Sequence, residues 1–140
     1  MSRIVVAAAM AVAFAAGFGP SATAHHSFAA QYDRDKTVTL NGTVTRVEWM
    51  NPHVYFYLDV KEAAGTVAHW AVEGGAPTSL YRAGWRKDSL KAGDVVTVHG
   101  YLARDGSKLA NMRQAILPDG REVLGGQQYY GTNAPKPPGR

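Results

Sequence analysis

From residue 37 onward, apolar and polar positions along most of the chain alternate with a period of two, the period of β-strands. His53 to Val60 is the clearest stretch: Val54, Phe56, Leu58 and Val60 fall on one face, Tyr55, Tyr57 and Asp59 on the other. Upstream, Val38, Leu40 and Val44 share one parity, while Val47 and Trp49 take the opposite one. A β-bulge at Gly42 or Thr45-Arg46 is expected there, because one inserted residue exchanges the faces of everything after it. Asn51-Pro52 joins the two segments into a hairpin, since proline has no N–H for a ladder and restricts the residue before it. Val67 to Glu73 predicts a third strand, with Trp70 and Val72 on the core face and His69 and Glu73 opposite.

Gly74-Gly75-Ala76-Pro77 interrupts the alternation. Thr78 to Trp85 then spaces Leu80, Tyr81, Gly84 and Trp85 three and four residues apart, which predicts one short helix with those residues inward. Val95 to Leu102 forms a fourth strand. Asp105-Gly106 is a hairpin turn, and Leu109 to Leu117 a fifth strand with Ala110, Met112 and Ile116 on the core side. Val44, Phe56, Leu58, Trp70, Val96, Val98 and Ile116 are expected to share one core. After Gly125 the composition turns polar and rich in Gly and Pro, so residues 125–140 are expected to form a disordered tail. Five strands, a long bulged first strand and a short helix between strands three and four match an all-β, OB-like, partly open barrel. A six-stranded sandwich or another small barrel shares this strand list and differs in pairing.

The first 24 residues change the picture from a bare domain to an exported one. They carry one charge, Arg3, then the apolar run Ile4 to Phe18, the breakers Gly17, Gly19 and Pro20, and the small-residue pattern Ala22-Thr23-Ala24. This is the layout of a secretory signal peptide, and the apolar run is shorter than the about 20 residues a spanning helix needs. Cleavage after Ala24 is expected, leaving a domain over 25–124, a periplasmic or secreted location, no transmembrane segment in the mature chain and His25 as its first residue. About 116 residues suffice for one core. There is no cysteine, which excludes disulfides, thiolate metal sites, iron–sulfur clusters, a cysteine nucleophile and a lipid-modified cysteine. The formal charge of +4 is scattered, with Arg86-Lys87 the longest basic cluster, which argues against a nucleic-acid partner.

Candidate chemistry centres on histidine. A chain beginning His25-His26 offers its α-amine and two imidazoles, a nitrogen set that suits Cu(II); the competing reading is a solvated chain end. His53 shares the outer parity of Tyr55 and Tyr57. Beside a barrel's first loop, Trp49, Asn51, His53, Tyr55 and Tyr57 then make an aromatic, hydrogen-bonding surface for a ligand, or equally a turn with surface aromatics packed across strands. His69, Glu73 and His99 share outward parity, and neighbouring strands are placed to bring them together. No nucleophile elbow, H-E-x-x-H or phosphate loop occurs, and no catalytic residue is assigned. The reading is an exported, non-catalytic binding or accessory module for a small ligand, a saccharide or a protein partner. The alternative is a copper-binding protein using His25 and His26 with help from His53.

The runs H-H-S-F-A-A-Q-Y-D, G-T-V-T-R-V-E-W-M-N-P-H, W-A-V-E-G-G-A-P and G-W-R-K-D-S-L-K-A-G-D-V-V-T-V-H-G-Y cover most of residues 25 to 124. In them the chain resembles a family of small exported bacterial proteins built around a single β-rich domain of unknown function. The resemblance implies an exported β-rich domain and brings no activity, substrate or catalytic residue.

Overall fold

Each expected strand is present in the computed structural model, which describes residues 28–126 and adds a sixth strand. The expected leader, its cleavage point, His25, His26 and the tail from residue 127 lie outside the described residues. The order is α1 (Phe28–Gln31), β1 (Tyr32–Glu48), β2 (Tyr55–Lys61), β3 (Val67–Glu73), α2 (Pro77–Arg82), β4 (Val95–Ala103), β5 (Leu109–Ile116) and β6 (Glu122–Leu124).

β1 lies between β2 and β4, β2 pairs with β3, β4 with β5 and β5 with β6, all antiparallel. A short parallel pairing of Ala71–Glu73 with Leu109–Asn111 joins β3 to β5 and turns the sheet into a ring of β1, β2, β3, β5 and β4. Only three residue pairs make that seam, against seven between β2 and β3, so the ring is partly open. This closure is what separates an OB-like barrel from a sandwich with the same strands. β6 extends the sheet beyond β5 and was not foreseen, because three residues after Pro118-Asp119-Gly120 show no period.

The bulge in β1 falls between Val44 and Arg46, one of the two expected places. Val44 points inward at 1% exposure, and beyond the bulge Val47 and Trp49 pack half-buried against the core. A second irregularity corrects the expectation for Ile116. The β4–β5 register shifts between His99 and Gly100, opposite Gln114 and Met112, so Arg113 is the extra residue. Ala115 and Leu117 therefore enter the core and Ile116 faces outward, half-exposed.

Phe56, Leu58, Val72, Leu80, Val96, Val98, Ala110 and Met112 are buried together, with Trp70 half-buried at the rim. α2 closes one end of the ring. It begins at Pro77, whose missing N–H costs nothing in a first turn. Leu80 is fully buried, and Trp85, just past the helix, stacks 6.1 Å from Phe56 and donates its indole N–H to the Leu124 carbonyl at 2.8 Å. Tyr81, expected inward, is 45% exposed, since a six-residue helix lays only one narrow face on the barrel. Gly125 seals this end: its N–H donates to Arg113 and its carbonyl accepts from Gly75. A Cβ there would sit 1.9 Å from the Met112 carbonyl oxygen, so only glycine fits. Among the described residues no helix is long and apolar enough to cross a membrane.

Candidate functional site

Register places one row of residues across the outer surface of the ring. Glu48 lies opposite Tyr55, Tyr55 opposite Glu73, Glu73 opposite Asn111, and Asn111 opposite Tyr101. Each is one residue out of phase with the interior row Val47, Phe56, Val72, Ala110 and Leu102. Alternation alone would leave Glu73 in water, as the sequence predicted. Instead it is only 4% exposed and Asn111 3%.

The cause is the N-terminal arm. Tyr32, before a register slip between Asp33 and Thr37, is buried, and its hydroxyl donates to the Glu73 Oε2. α1 follows it onto the outer row: the Phe28 ring lies 5.4 Å from Tyr32 and 5.7 Å from Tyr101, edge-on. Arg104 fastens the arm, its Nε donating to the Ala29 carbonyl at 2.8 Å and its backbone N–H to Gln31 at 2.9 Å.

Two groups meet the Glu73 carboxylate: Tyr32 takes Oε2 and His53 places Nδ1 against Oε1. Tyr55 and Asn111 flank Glu73 on the neighbouring strands. No lysine or arginine among the described residues forms an ion pair with Glu73. The tyrosines register this setting. Burial first, then the neighbouring carboxylate, pushes the Tyr55 hydroxyl up to about 12, and burial followed by the Glu73 hydrogen bond raises Tyr32 further. His53 is the partner that reaches solvent, with 41% of its side chain exposed.

The five residues expected to form one ligand surface occupy four places. His53 and Tyr55 join the Glu73 cluster. Tyr57 instead donates to Glu48 at 3.1 Å, with the Arg46 guanidinium 4.1 Å above its ring. Trp49 meets Tyr81 edge-on at 5.6 Å, and Asn51 lies in the exposed turn with a cis bond to Pro52. His69, Glu73 and His99 do not come together. His69 pairs with Asp59 at 2.6 Å, its cross-strand neighbour, and His99 meets Thr39 at 3.0 Å. A groove of about 450 Å³ crosses β1–β3 between Tyr57, His69, Trp70 and Lys108. Its charges are matched internally: Arg46 with Glu48, Asp59 with His69, Lys108 with Glu62.

Sequence reading missed Tyr32 and Asn111. Tyr32 had a faint signal, a bulky aromatic four residues after Phe28 and ahead of the polar run Asp33-Arg34-Asp35-Lys36. Asn111 had none. Among the described residues no group of three or more histidines and carboxylates is placed to hold a metal, so His53 and Glu73 are a pair and not a finished site.

Fold and cluster together define a class: a small OB-like barrel whose polar centre is a buried carboxylate presenting a histidine. The chain belongs to the family of unknown function DUF6152, whose pattern matches residues 12–112. That span includes the arm, the N-P-H turn, Glu73 and Asn111. No curated protein matches the chain.

Proposed function

We propose that the chain is an exported, non-catalytic accessory module that binds Cu(II) through His53 together with His25 and His26 at the start of the mature chain. One observation carries this reading: Glu73 is a buried carboxylate with no lysine or arginine partner among the described residues, and the imidazole it holds opens to solvent. Buried carboxylates are ordinarily balanced by a cation, and a metal on the far nitrogen of a carboxylate-bound histidine is a recurrent way to supply one.

The path of the chain supports the same reading. His25 and His26 precede Phe28 by three and two residues, and the arm that starts at Phe28 delivers Tyr32 to the carboxylate that holds His53. An α-amine and imidazoles make the nitrogen-rich set that Cu(II) prefers.

Copper titration of the mature chain tests this. Binding of one Cu(II) per chain is expected, weakening as pH falls because only deprotonated nitrogens ligate. One residue added before His25 moves the α-amine off the His25 ring, and His53→Ala removes the barrel's ligand. Each is expected to weaken binding by more than about tenfold. Equal affinity in all three proteins rules the site out and leaves only a module for an unidentified small ligand, saccharide or protein.

A further inference from the structure

While ionised, Glu73 can only accept hydrogen bonds. The Tyr32 hydroxyl and an imidazole nitrogen of His53 are set against its two oxygens, one on each. In that arrangement the proton on a neutral His53 ring sits on Nδ1, facing Oε1. The lone pair is then on Nε2, which has no partner among the described residues and belongs to a side chain 41% exposed.

We infer that Glu73 is the positioning residue of this surface: held by Tyr32, it fixes His53 as the Nδ1–H tautomer, makes Nε2 the ligand nitrogen, and through Tyr32 ties the aim of the ring to the docking of the N-terminal arm. The identity of the ligand rests on the metal-binding reading; the tautomer does not.

The geometry separates this role from simple packing. Tyr32 and His53 come from segments twenty-one positions apart in sequence and share one carboxylate, one on each oxygen. Tyr55 sits directly across from Glu73 in the β2–β3 ladder. The arm is independently anchored by Arg104 and by the Phe28–Tyr101 contact, so losing the Tyr32 hydroxyl releases the carboxylate without removing the arm's other ties. A carboxylate behind a ligating histidine both orients the ring and raises its basicity, and loss of such a partner costs about 10–100-fold in metal affinity.

Long-range proton–nitrogen NMR on the ¹⁵N-histidine-labelled mature chain, at mildly alkaline pH where imidazole is neutral, reads the tautomer without metal. His53 is expected as Nδ1–H, against the Nε2–H form that free histidine side chains favour. Glu73→Gln offers the ring either an oxygen or an N–H, and is expected to shift His53 toward Nε2–H. Tyr32→Phe keeps the ring packing and is expected to shift it the same way by less, which preserves the test if the Gln variant does not fold. Both variants are expected to weaken Cu(II) binding, by about 10–100-fold for Glu73→Gln. An Nε2–H His53 in the wild type, or a tautomer indifferent to both substitutions, overturns the inference. Wild-type protein that shows the Nδ1–H tautomer and the expected shifts yet takes up no copper upholds the positioning role and removes the metal reading instead.

Discussion

Replacing Glu73 by leucine, and then adding Tyr32→Phe, turns the buried cluster into a measurable asymmetry. Leucine fills the space of the side chain and abolishes every acceptor at its centre. His53, 41% exposed, turns to water. Tyr32, 2% exposed, cannot, and its hydroxyl loses its acceptor. A buried donor without its acceptor costs about 1–3 kcal/mol, and hydrogen bonds to a charged group contribute about 1.5–3 kcal/mol each. Against these stands the relief of no longer burying a carboxylate that has no lysine or arginine partner. The single variant is expected to lose about 3 kcal/mol, a large share of the about 5–15 kcal/mol typical of a domain. Tyr32→Phe in that background removes the stranded hydroxyl and is expected to restore about 1–2 kcal/mol, whereas in the wild type the same substitution loses about 1–2 kcal/mol. Urea unfolding followed by tryptophan fluorescence gives all four corners of the cycle. Effects of Tyr32→Phe equal in sign and size in both backgrounds would show that Tyr32 and Glu73 do not interact, and the site would lose its foundation.

Phe56→Ala is expected to cost about 3–5 kcal/mol by the same assay, since the ring is 1% exposed and stacks on Trp85; a loss below about 1 kcal/mol contradicts the strand parity. Gly125→Ala is expected to destabilise by more than about 2 kcal/mol, because its Cβ meets a backbone carbonyl at 1.9 Å; an unchanged midpoint refutes that close approach. Both cluster tyrosines hold their protons more tightly when folded, so the folded state binds more protons above the ordinary tyrosine value of 10.0. Their contribution to stability is therefore intact below pH 10 and declines above it, for Tyr55 up to about pH 12. Tyr55→Phe is expected to flatten that alkaline decline, and identical pH profiles for variant and wild type contradict it. Intact mass of the protein recovered from the periplasm checks the proposed export with cleavage after Ala24; a chain starting anywhere but His25 rules out His25 and its α-amine as the proposed terminal ligands.

Strand content was legible because burial on one face forces period two, as in Val54, Phe56 and Leu58. The β1 bulge was legible because a phase slip must occur between Val44 and Val47. The matching slip at Arg113 was not, since Ala115, Ile116 and Leu117 are all apolar and either parity reads as a core. Ring closure rests on Glu73 lying beside Asn111 across a three-pair seam, a contact with no local signature. The site failed to show for a related reason. His53 stands out by its place in the N-P-H turn, but alternation puts its carboxylate in water because alternation describes a bare sheet. Only the start of β1, which sets Tyr32 against Glu73, covers that position, and no pattern within β3 announces a cover that comes from forty-one residues upstream.

Elemental analysis of the untagged protein, purified from the periplasm of cells grown with copper and without chelators, decides whether the proposed site takes copper. About one copper per chain is expected, lost in His53→Ala. A protein folded as described that contains no copper, and takes up none when Cu(II) is added, rules the site out.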